Sequence, residues 1–146
     1  LESSIKGHAV IPSAITRLPS LEKVHGSERL VMGAASARRL FPAPHIATLS
    51  FGNGAYAAVA DYQVQLPYRE RLKLMCVRYS DPGTAAQAYS NYLNSFEGMK
   101  NLSQYGTSLF KVGSSYFFCQ QTGPQVILIT GAHKKVSPQM LARLIN

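Results

Sequence analysis

The sequence predicts an α+β domain: a mainly antiparallel sheet with helices packed on one face. Three observations lead there. Apolar residues alternate with a period of two along several short runs. The runs are separated by Gly- or Pro-bearing junctions of hairpin length, such as Gly113-Ser114 and Gly123-Pro124. Two acid- or hydroxyl-then-proline signals, Asp81-Pro82 and Ser137-Pro138, each precede an apolar stripe at helical spacing. A chain of 146 residues, 46% hydrophobic and 15% charged, has the size and balance of one globular domain. No run approaches the roughly 20 apolar residues of a membrane-spanning helix.

Residues 1–26 are broken by Gly7, Pro12, Pro19 and Gly26 and read as an irregular lead-in; the domain proper is expected over 27–146. Residues 27–33, SERLVMG, suit a short strand. AASARRL, 34–40, suits a short helix stopped by Pro42 and Pro44, which cannot continue it. Three strands follow, in HIATLSF (45–51), AYAAVADYQVQL (55–66) and RLKLMCVRYS (71–80). In the second, Tyr56, Ala58, Ala60, Tyr62 and Val64 alternate with Ala57, Val59, Asp61 and Gln63, which predicts one buried and one wetter face.

The stretch RYSDPGTAAQAYSNYL, 78–93, has two readings. Asp81 accepts well from a free amide of a first helical turn, and Pro82 has no amide to leave unsatisfied there. Ala85, Tyr89, Tyr92 or Leu93, and Phe96 then lie on one helical face, with Gly98 as the stop. The rival reading is a phosphate-binding helix start. It lacks a following Gly-Lys-Ser or Gly-Lys-Thr, and an acidic side chain already occupies the site. DPGT starts a helix. Gly52-Asn53-Gly54-Ala55-Tyr56-Ala57 nominally fits G-x-G-x-x-A, but alternating residues follow where a dinucleotide site needs a helix. After a polar connection, TSLFKVG, SSYFFCQQT and QVILITG form a second group of three strands, and SPQMLARLIN a last helix. From the short helix onward the expected order is α-β-β-β-α-β-β-β-α.

The progression AYAAVADYQVQL, RLKLMCVRYSDPGTAAQAY, SLFKVGSSYFFCQQ and QVILITGAH resembles an uncharacterised bacterial family of domains of unknown function, often exported. The likeness spans roughly residues 27–146, with Tyr79-Ser80-Asp81-Pro82 matching the family's turn before its helix. It implies a fold and an exported or envelope location, and transfers no site residues. The chain starts at Leu1, and residues 1–20 show neither a basic leader before an apolar block nor a small-residue cleavage site. The expectation is a trimmed or mature chain with sequence upstream.

Composition narrows the function classes. Two cysteines, Cys76 and Cys119, are too few for a disulfide scaffold or a usual structural zinc site. Each lies in an apolar run, which favours separate buried thiols; the alternative, a bridge between strands, would argue for an oxidising compartment. His8, His25, His45 and His133 are scattered, and no pattern calls for a metal or cofactor. Of seven carboxylates, Asp81 is committed to a cap, and Glu2, Glu22 and Glu28 lie at the beginning. Asp61, Glu70 and Glu97 remain, with no spacing that pairs them for acid–base work. No G-x-S-x-G is present, and Cys119 has no identifiable histidine partner.

The formal net charge is +8, with basic residues spread through the chain and gathered only at Arg38/Arg39, Arg69/Arg71/Lys73 and Lys134/Lys135. A non-catalytic binding or interaction module, with a protein or small ligand as partner, is the favoured reading. Nucleic-acid binding is the rival. Arg71 and Lys73 share a strand face with Met75, Val77 and Tyr79, and Tyr56, Tyr62, Tyr116, Phe117 and Phe118 lie on other strands. No RNA-binding strand motif is present, so burial of the aromatics is preferred. A site, if placed on an open sheet face, would use Asp61, Arg71, Lys73 and Tyr79, with Asp61 set opposite an Arg or Lys across the sheet.

Overall fold

A computed structural model describes residues 23, 24, 26–31, 33–41, 46, 49, 55–65, 69–96, 107–134 and 138. The elements are β1 (Arg29–Val31), α1 (Ala34–Leu40), β2 (Tyr56–Val64), β3 (Glu70–Arg78), α2 (Pro82–Asn94), β4 (Thr107–Val112), β5 (Ser115–Thr122) and β6 (Gln125–Ala132). All six strands form one sheet in the order β1-β2-β3-β6-β5-β4, and every neighbouring pair is antiparallel. The class is α+β. After β3 the chain crosses over the sheet through α2 and starts again at the far edge with β4. Two tight hairpins then step inward until β6 lies beside β3.

Those hairpins follow from local chemistry. Val112 pairs with Ser115 and Thr122 with Gln125, leaving two-residue loops that begin with Gly113 at φ 62° and Gly123 at φ 58°. The turns that match strand twist need a positive φ at that first position, where glycine costs least. At α2 the Asp81 carboxylate accepts the Thr84 amide at 2.7 Å, and Pro82 occupies the first turn. Ala85, Ala88, Tyr92 and Phe96 are buried, with Tyr89 and Leu93 packed beside them, so the expected stripe is the docking face. Tyr89 Oη lies 3.0 Å from Ser108 Oγ and donates to the Cys119 carbonyl, tying α2 to β4 and β5. Beyond α2, Phe96 stacks on Phe110 with ring centroids 4.7 Å apart.

Two buried clusters lie on the two faces of the sheet. Ala57, Val59, Met75, Val77, Cys119, Val126 and Leu128 join Ala37 and Phe41 and the buried residues of α2. Ala58, Ala60, Tyr62, Leu72, Leu74, Cys76, Phe118, Ile127 and Ile129 form the second, which includes no described helical residue. The helices therefore share one face, as expected. The expectation of a wetter, open second face is corrected: both faces of β2, β3 and β6 are buried along their middles. Alanines at 57, 58 and 60 leave room for close packing on either side, and the uninterrupted Val126-Ile127-Leu128-Ile129 run has no polar alternate to point at water.

Two further differences from the expected order appear, at 45–51 and before residue 27, while the expected last helix lies almost wholly outside the described residues. Of the strand anticipated at 45–51, Ile46 and Leu49 are described; the Leu49 amide donates to the Ile46 carbonyl at 3.2 Å, and both side chains are buried. Neither residue is in a strand, and both pack into the helix-side core; apolar content alone does not separate such positions from a strand. Within the anticipated last helix, 137–146, Pro138 is helical and buried, and the other positions lie outside the described residues. The sheet is also joined before residue 27: Lys23 bridges to Tyr62, and the Val24 amide donates to the Asp61 carbonyl at 2.8 Å.

Register settles the cysteines. Cys76 pairs with Ile127, whereas Cys119 pairs with Leu128, the next residue along β6, so the thiols point to opposite faces. Both are free and buried. Burial pushes the Cys119 thiol up to about 12, against the effect of hydrogen bonds with Tyr89 and Ser108. Buried thiols of this kind are inert until the fold opens. A thiol-titrating reagent is expected to find neither cysteine in the native protein and both in denaturant; one that reacts promptly in native buffer would contradict this burial.

Candidate functional site

The helix-side cluster stops along β2 at Val59, along β3 at Met75 and along β6 at Leu128. One step further in each strand, on the same face, stand Asp61, Lys73 and Thr130; Asp61 pairs with Lys73, and Lys73 with Thr130. Arg71 follows at the next position of that parity. The helices cover one end of this face and leave the other to a polar group.

Asp61 is anchored from both sides. Its amide donates to Ser27 Oγ at 3.0 Å, while its carbonyl accepts the Val24 amide, so the lead-in holds its backbone. Its carboxylate accepts Arg71 Nη2 at 2.9 Å and lies 3.2 Å from Lys73 Nζ. Partial burial pushes this carboxyl upward, but the hydrogen bonds and charges of Arg71 and Lys73 outweigh it and hold the pKa below the ordinary value. The cross-strand basic partner expected for Asp61 is present twice over.

A cleft of about 460 Å³ opens beside this trio. Leu72 of β3, Ser115 and Phe117 of β5, and Thr130 and Gly131 of β6 complete its lining. Its shape depends on a bulge. Tyr116 pairs with Ala132 and Phe118 with Ile129, so Thr130 and Gly131 together face Phe117. Gly131 takes φ 95°, and a Cβ there would sit 3.2 Å from the Arg71 carbonyl oxygen. Only glycine takes this conformation readily so close to a neighbouring backbone. On the far side of the same corner, Glu70 accepts the amides of His133 and Lys134, the latter at 3.2 Å, and clamps the chain leaving β6 onto the start of β3.

Of the four residues expected at a site, Asp61, Arg71 and Lys73 meet, but on the helix-bearing face beyond the end of the helix-side core, not on the opposite, open face where they were expected. Tyr79 does not join them. It shares their strand face, but it lies six residues beyond Lys73, about 20 Å along an extended chain, and is buried in the helix-side cluster at 4% exposure. Its hydroxyl is buried with no hydrogen-bond partner, and burial pushes its pKa up to about 12. The aromatic platform is likewise reassigned: Tyr62 and Phe118 are buried, and Tyr56 is the exposed large aromatic among the described residues. Leu72, Ser115, Thr130 and Gly131 border the cleft without having been expected there. A glycine interrupting the apolar QVILIT run was the available sign of a bulge.

The described residues contain no group of three or more His, Cys, Asp or Glu positioned to hold a metal ion. Among them, no helix is long and apolar enough to cross a membrane. Each described carboxylate has a structural commitment: Glu28 pairs with Lys23 at 3.0 Å, Asp61 with Arg71 and Lys73, Glu70 with two amides, and Asp81 with the start of α2.

No protein-family model matches this chain, and no curated protein sequence matches it. Among solved structures, a Thermotoga maritima protein described as a GTP binding regulator is similar at a TM-score of 0.53 and 8% sequence identity, with 92% of this chain and 83% of that chain covered. At that identity the likeness is one of fold.

Three substitutions test this geometry. Asp61→Asn is expected to cost about 1 kcal/mol or less at neutral pH, because the pair is partly solvated. With a folded pKa below the ordinary 3.8, the contribution of Asp61 is complete above that value and fades as pH falls through the lower folded value. The gap in melting temperature between wild type and variant should therefore close in acid, and a constant gap would contradict it. Tyr79→Phe removes a buried hydroxyl without a partner and is expected to be neutral or stabilising by up to about 1 kcal/mol. Tyr89→Phe breaks the contact with Ser108 and should destabilise by about 1 kcal/mol; denaturant midpoints shifting in the same direction would count against this assignment.

Proposed function

We propose that the chain is a non-catalytic binding or interaction module, and that the cleft beside Asp61, Arg71 and Lys73 is its binding surface. The observation that carries this reading is the division of labour among the carboxylates. Every described one is spent on structure, while two cations and an apolar wall border an accessible cleft. Its volume lies within the roughly 300–1,000 Å³ typical of small-molecule sites. The lining combines apolar surface from Phe117 with a few converging polar groups, as such sites do. The resemblance to an often exported bacterial family supports an envelope setting for this module.

The net charge of +8 keeps nucleic acid as the competing partner. Arg71 and Lys73 are already partly neutralised by Asp61, and burial of Tyr62 and Phe118 removes two rings from any stacking surface. Anisotropy of labelled single-stranded DNA and RNA, titrated at several salt concentrations, separates the two. Weak binding without a preferred surface is expected. Tight binding that falls steeply with salt and is abolished by Arg71→Gln would replace the module reading with a nucleic-acid interface.

A further inference from the structure

Resting on that assignment of the cleft, we infer that its ligand is a small organic monoanion, a carboxylate carried on a short apolar body. Asp61 already shows what the cationic pair grips: one carboxylate oxygen faces Arg71 and the other faces Lys73. Two cations against one carboxylate leave a single positive charge, which suits a monoanion better than a phosphate dianion. Arg71 contacts Asp61 through one nitrogen, and its side chain is 60% exposed. A guanidinium presents five N–H donors in a planar fork, so one edge of Arg71 is available for the two parallel hydrogen bonds that a second carboxylate accepts. Asp61 thereby acts as a positioning residue, holding the guanidinium at the mouth of the cleft.

The remaining lining selects the body of the ligand. Phe117 supplies apolar surface, and the Gly131 bulge leaves the adjoining wall without a side chain. Thr130, buried at 6% exposure, places a hydroxyl-bearing side chain beside Lys73. An aryl or short alkyl group lying against Phe117 with its carboxylate at Arg71 satisfies both halves of the cleft.

The experiment is an NMR amide titration of the labelled chain with 3-phenylpropanoate, its neutral amide and inorganic phosphate, each taken to millimolar concentration. The expected result is saturable shifts at Arg71, Lys73, Phe117 and Gly131 with the carboxylate, and at least tenfold weaker response to the other two probes. Arg71→Gln should weaken the carboxylate at least tenfold. Arg71→Lys should recover only part of the loss, because it keeps the charge without the fork. Lys111→Gln, at an exposed position outside the cleft, should change nothing. Equal shifts with the amide, or stronger shifts with phosphate, overturn the ligand class and leave the cleft as a binding surface. No response at any cleft residue to any probe overturns both.

Discussion

The antiparallel ladder of β2, β3 and β6 is the constraint on which the other features depend. With side chains alternating strictly between faces, its register decides at once which residues enter which core, where each cysteine points and where the polar group emerges. Met75 and Leu128, paired with each other, share the helix face. Cys76 and Ile127, likewise paired, face away. A one-residue slip on β3 would bring Lys73 toward the helix-free core and Leu74 toward the helix side, so burial on both faces locks the pairing.

The cleft exists where that regularity is interrupted. Along most of the sheet, each strand delivers a side chain to both cores. At Thr130 and Gly131 one extra residue on β6 bends the ladder, and the absence of a side chain at Gly131 leaves space against the Arg71 backbone. Glu70 closes the corner behind it by holding the amides of His133 and Lys134. The polar trio can face solvent at this end because the helix-side apolar cluster ends one step earlier on every central strand. A covered core and an accessible site thus share a single sheet face, divided along the strands.

Two tyrosines of the helix-side core show how differently polar atoms are treated. Tyr89 carries its hydroxyl to Ser108 and the Cys119 carbonyl, and so joins the helix layer to the two outer strands. Tyr79 spends its ring on the core and leaves its hydroxyl unpartnered. In an apolar interior the first arrangement adds specificity to the docking of α2, whereas the second costs stability for no visible contact. Fold likeness to the Thermotoga maritima protein extends over most of both chains at 8% identity. At that identity the likeness is one of fold, and the cleft residues have to be understood from this chain alone.

Local chemistry was enough to read α1, the capped start of α2 and its buried stripe, the two glycine hairpins and the strands they join. Each depends on neighbours within a few residues: Asp81 on the Thr84 amide, Gly123 on its own backbone angle. The pairing of Asp61 with a basic residue was also legible, because alternation put both on one face. Which parts of that face are covered was not. Tyr79 and Arg71 have the same parity on one strand, and only the position of the helix-side core separates a buried phenol from an exposed guanidinium. Periodicity reports the direction in which a side chain points; what meets it there is set by contacts between segments far apart in the chain, and those form only in the folded structure.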